Sequence, residues 1–361
     1  TLTSGRLFGK TLKTSALSAI EFALAPKAVK AFLGFAALMN GRLFKGNMHF
    51  QALGTSFRIW SDGIVSPLFE ELDSTCKLIA KEYDDVDGRR ELLNDPEFIQ
   101  QFRDDWHHGR GENDLASIKA RLGMPDVVVP RDFGIMTFDG APITEWDGET
   151  FQQVYNRLEA YQRGQADQAR SDAERDAFDK FPRPIRDDAD FMLHMMREYD
   201  KGFRYWVDVA NVGNKATLDL LLHKHTLPGF NDSGAHITNM AFFDANLNSL
   251  KLAQQKSLET VSTIVKRLTS EPAAFFGLDV GTLELGDQAD ITMIDPEALR
   301  DWDDLSGREL IYRELFEHQQ MVSRSDGVVT HTFINGEAVW RNGDHTEALG
   351  TKTLGRALRA A

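Results

Sequence analysis

The ten residues Leu227-Pro-Gly-Phe-Asn-Asp-Ser-Gly-Ala-His236 constrain this chain more than any other stretch. An apolar lead-in runs straight into a turn-forming cluster, which predicts a short strand with Asp232, Ser233 and His236 gathered at its end. Gly229 and Gly234 let the backbone bend tightly, and a carboxylate just past a strand end can face a cleft. The punctuation downstream is equally ordered. Leu258, Val261, Ile264, Val265 and Leu268 fall on one face of a helix. Ser270 and Pro272 then open a short helix that Gly277 closes. Residues 283–294 alternate up to Asp295-Pro296, and residues 328–340 form a hairpin turned at Asn335-Gly336.

That succession resembles the C-terminal part of the amidohydrolase superfamily, most closely its D-aminoacylase (N-acyl-D-amino-acid deacylase) branch. The resemblance is specific from about Leu222 onward and weaker from Gly46 to about Trp106. It implies an α/β fold: the C-terminal part of a distorted (β/α)8, TIM-like barrel with an appended small β-sandwich. The expected division is N-terminal helices over 1–45, barrel over 46–280 with a helical excursion at about 140–205, and sandwich portion and tail over 281–361.

The chemistry implied is metal-dependent hydrolysis of a non-peptide C–N bond in a small amide, with N-acyl-D-amino acids as the nearest substrate class. A divalent ion, zinc in the first place, lowers the pKa of a bound water and polarises the carbonyl. An aspartate after the last barrel strand takes the water's proton and delivers it to the leaving amine. Asp232 matches that position, as catalytic residue and as metal ligand. His236 is a candidate substrate-binding residue, and so is Arg58, whose guanidinium suits a carboxylate. His49 and Gln51 are weaker candidates of the same kind.

The family's first-strand His-x-His has no counterpart in place. The one such motif, His223-Lys-His225, closely precedes Asp232 and reads as the end of a helix or loop. Most metal ligands are therefore expected on a missing N-terminal barrel half or a second fragment. The alternative is a non-catalytic scaffold or binding domain of the same ancestry.

Composition sets the remaining bounds. A net charge of −14 argues against a broad nucleic-acid or anionic-membrane footprint. The single cysteine, Cys76, excludes an internal disulfide and reads as a buried small hydrophobe in a reducing, cytoplasmic compartment. Glu21, Lys27 and Lys30 interrupt the apolar stretch 16–39, which reads as amphipathic helix with Leu17, Ile20 and Leu24 on one face. His107, His108 and His194 sit in polar helical context and read as surface residues. Self-association into a homo-oligomer is compatible with all of this.

Overall fold

Parallel strand pairing, not local periodicity, decides the N-terminal region. The computed structural model describes residues 6–7, 10–11, 13–108, 129–230, 244–303 and 307–359. Arg6–Leu7 (β1) and Lys10–Thr11 (β2) pair antiparallel. Lys13–Ala19 (β3) is then a strand, paired in parallel with Asn47–Ala52 (β4), with Thr14 opposite Met48 and Ser15 opposite His49. The expectation of helices throughout 1–45 is corrected here. The partners of β3 lie some thirty residues away, and hydrogen bonds to a distant strand leave no trace in helical spacing. Among the described residues of 1–45, only Ala28–Met39 is an α-helix. It buries Val29, Ala36 and Met39 against Met48, Phe50 and Leu220, and each such side chain contributes about 1.5–3 kcal/mol when fully removed from water.

The chain divides into two compact units: residues 1–21, 29–57 and 211–361 form the first, residues 22–28 and 58–210 the second. In the first, Thr226–Pro228 (β8) joins β4 in parallel, giving the order β3-β4-β8. Helix Asn214–Leu221 precedes β8, and helices Ala245–Lys256 and Leu258–Leu268 follow it. Ile264 packs with Ala52, Leu221 and Ala253, joined by Val261 and Leu268, whereas Leu258 and Val265 of the same helix face solvent. The next helix, Ser270–Phe276, ends at Gly277 in the left-handed conformation, as its closing glycine predicts.

The C-terminal strands are antiparallel. Ile291–Ile294 (β9), Val329–Ile334 (β12), Glu337–Arg341 (β13) and Asp344–His345 (β14) form one sheet in the order β14-β13-β12-β9. Arg308–Arg313 (β10) and His318–Ser323 (β11) form a separate hairpin. Asn335 and Gly336 turn β12 into β13 with φ of 51° and 80°, the left-handed pair that a two-residue hairpin needs.

In the second unit Phe57–Asp62 (β5), Thr137–Phe138 (β6) and Arg204–Ala210 (β7) make a sheet of order β5-β7-β6. The helices Pro96–His108, Phe151–Gln162, Asp172–Lys180 and Asp188–Tyr199 belong to the same unit. Its core is aromatic: Phe138 and Phe151 lie 4.2 Å apart between ring centroids, and Phe133 meets Phe191 at 5.3 Å and 67°. Its buried charges are matched. Glu174 accepts from Trp146 Nε1 at 2.9 Å and from Arg157 Nη2 at 2.8 Å, and Arg89 grips Asp200 with Nε and Nη2 at 2.9 and 2.8 Å. The excursion at about 140–205 lies inside this unit.

Two burial assignments change. His194 is buried on helix Asp188–Tyr199, its ring 3.8 Å from that of Phe181, and burial pushes its pKa down to about 4. Cys76 is exposed rather than buried, because Leu78 fills the core from that short helix. Among the described residues, no helix is long and apolar enough to cross a membrane.

Candidate active-site rim

In a parallel sheet every carboxyl end lies on one edge, and the loops leaving that edge carry the chemistry. Here the described part of that edge consists of residues 20–21 after β3, 53–56 after β4 and 229–230 after β8. The backbone amides of Gly229 and Phe230 both donate to Ala52 O, at 3.2 and 3.4 Å, which ties the end of β8 to the end of β4.

Asn211 ties the other two ends. Its backbone N–H donates to Glu21 O at 2.9 Å, and its side-chain Oδ1 accepts from Glu21 N at 2.9 Å. Nδ2 donates to Leu53 O and Thr55 O, each at 3.3 Å, and Ser56 Oγ donates to Asn211 O at 3.3 Å. Asn211 is fully buried, with φ of 54°. Behind the rim, Asn248 Nδ2 donates to Gly54 O at 2.7 Å. Gly54 must be glycine, since a Cβ there would lie 2.1 Å from Ser249 Oγ and 2.3 Å from Ala245 O. Glu21 is the one ionisable side chain among these described rim residues.

Asp232, Ser233 and His236 lie outside the described residues. Arg58 opens the second unit, on β5. Its Nε and Nη2 donate to Asp208 Oδ1 and Oδ2 at 2.7 and 2.8 Å, and its guanidinium sits 3.4 Å from the centroid of the Trp206 ring. The fork that suits a substrate carboxylate is thus engaged by a carboxylate of the protein.

His49 and Gln51 lie within β4. His49 Nε2 bonds Asn47 Oδ1 at 3.1 Å and its ring stands edge-on to Phe275. Burial, with the Arg267 guanidinium adding to it, lowers its pKa. Gln51 Nε2 donates to Ser15 Oγ at 3.2 Å. His223 and His225 occupy the turn before β8, at the amino end of that strand, as expected of a loop. His225 N donates to His223 Nδ1 at 3.2 Å, and His225 Nδ1 pairs with Asn40 Nδ2 at 3.1 Å.

The described residues do not assemble the ligand set of a hydrolytic metal at this rim. Their one group of three close metal-ligating side chains, His107, Asp187 and Asp188, belongs to the second unit. Asp187 there is already engaged by the Arg103 guanidinium and caps helix Asp188–Tyr199 through Asp190 N at 3.0 Å. A helix N-terminus and an adjacent arginine both disfavour a cation.

Sequence reading passed over Asn211 and Gly54. Asn211 had a signal: the run Ala210-Asn-Val-Gly213 closes a strand with a residue type enriched at positive φ. Gly54 had none, because its close neighbours lie on a helix nearly two hundred residues away.

Residues 228–339 match the family model described as amidohydrolase family. Uncharacterized proteins of Mycobacterium bovis and Mycobacterium tuberculosis are 29% identical over 352 residues, which cover 95% of this chain and 50% of theirs. The chain therefore spans about half the length of those curated relatives. A dihydroorotase of Geotalea daltonii is 33% identical over 91 residues, 25% of this chain and 20% of its own. A solved D-aminoacylase structure, described for its binuclear metal centre, covers 63% of this chain and 38% of its own at 16% identity and a TM-score of 0.31. The segment that begins in β8 and runs to β13 is thus similar to the amidohydrolase family.

Proposed function

We propose that the protein of which this chain forms part hydrolyses a non-peptide C–N bond in a small amide, with N-acyl-D-amino acids as the substrate class. One observation carries the proposal: the family match starts in β8, at the sheet edge where parallel strands present their chemistry, and its first residues hold the Asp232 motif. In this reading Asp232 takes a proton from the attacking water as the oxygen bonds to the carbonyl carbon. It then gives that proton to the nitrogen as the C–N bond breaks. His236 orients the substrate. Arg58 joins it only if its fork leaves Asp208.

The three parallel strands are proposed as the last strands of a distorted (β/α)8 barrel, and β9 with β12–β14 as part of the appended sandwich. A divalent ion, zinc in the first place, would supply Lewis acidity. Its holders would be residues outside the described ones and outside this chain, on a remaining barrel half or second fragment, so no step is drawn through it. The second reading is a non-catalytic scaffold or binding domain of this ancestry.

Release of free amine from paired N-acyl-D- and N-acyl-L-amino acids, by the full-length protein supplied with divalent metal, separates the two. Turnover of the D series is expected. No amine from any substrate leaves the scaffold.

A further inference from the structure

We infer that Asn211 is a positioning residue for the hydrolytic step, a role that rests on the function proposed above. Its carboxamide is wholly buried, and both ends of it are committed to backbone at the ends of two different strands. Oδ1 holds Glu21 after β3, and Nδ2 holds Leu53 and Thr55 after β4. An apolar side chain would fill the space but would leave the Glu21 N–H and the Leu53 and Thr55 carbonyls without these bonds. What the amide adds is a fixed relation between two rim segments that no ladder bond joins beyond Ala19 and Ala52.

The position in the chain strengthens the argument. The chain leaves the first unit after Phe57 and re-enters it at Asn211. Ser56, just before the departure, donates to the Asn211 carbonyl. The clasp thus ties together the points where the chain leaves the first unit and re-enters it. Loosening it lets Glu21 and residues 53–56 move independently while the apolar core under β3 and β4 stays intact. Catalysis is far more sensitive to such movement than folding is, since a misplacement of about 1 Å can lower the rate about 100-fold.

Two substitutions read this out in the full-length, metal-supplied protein. Asn211→Asp keeps the acceptor for Glu21 N–H but turns a carboxylate oxygen towards the carbonyls of Leu53 and Thr55. Asn211→Gly keeps the left-handed backbone and its bonds to Glu21 O and Ser56 Oγ but removes the side-chain bonds to Glu21, Leu53 and Thr55. In both, kcat on the best N-acyl-amino acid should fall about 100-fold while KM stays within about threefold. For Asn211→Asp the deficit relative to wild type should shrink as pH falls, because protonation restores a donor. Asn211→Gly should show no such recovery.

Folded variants with wild-type kcat, or a loss of Tm without any change in kcat, would overturn the role. A wild type that releases no amine overturns the function and this role with it. Should neither variant fold, hydrogen exchange at the Glu21 amide of the wild type decides: protection is expected, and exchange at the rate of a free amide refutes the clasp.

Discussion

Single residues show most sharply where local sequence context misleads. The Arg58 fork suits a carboxylate, and the structure uses that geometry, with Asp208 as the carboxylate and Trp206 as the platform. The chemistry was legible, but the partner 150 positions away was not. His194 sits among polar neighbours in sequence, yet Phe181 and the turn of its helix close over it, leaving Nε2 buried without a partner. Burial lowers its pKa from 6.5 to about 4. The unfolded chain therefore takes up the proton first, so the stability is complete above pH 6.5 and is lost as pH falls towards about 4. The full effect is roughly 3 kcal/mol. Urea midpoints measured from pH 7 to pH 4 should fall more steeply for the wild type than for His194→Gln. Parallel curves for the two would show that His194 is not buried as described.

At the scale of elements, those with local signals were legible. The hairpin at Asn335-Gly336 folds as its turn residues dictate, and the helix over 258–268 begins at Ser257, whose Oγ accepts from Thr260 N. β3 was missed because its stability comes from β4, and its own residues carry only weak preferences. Contacts between elements were hidden altogether, as Gly54 shows. Gly54→Ala drives a methyl into the backbone of helix Ala245–Lys256 at Ala245 and into Ser249. The expected cost is about 1–3 kcal/mol or more, seen as a lower urea midpoint with an unchanged m-value. A wild-type midpoint would mean that the helix does not seat against the end of β4.

For the molecule as a whole, the motif order around β8 to β13 resembles the amidohydrolase superfamily, and the family match over 228–339 falls on the same stretch. The excursion was legible as helical and polar, but its extent was not. Nothing local marks residue 58 as a boundary between two compact units, because a unit boundary is a property of contacts, and β5 and β7 pair across the whole excursion. The candidate site was legible as a motif and not as a constellation. Asp232 announces itself in sequence by its glycines and by following β8, whereas the described rim at the carboxyl end of the sheet is built from bonds between backbone and Asn211. In the proposed function Asp232 moves the proton of an amide hydrolysis. Its most direct test is kcat for Asp232→Asn against wild type, in the full-length protein with divalent metal supplied and free amine measured. A fall of about 100- to 10,000-fold with the fold intact is the predicted result, and turnover at the wild-type rate would contradict it.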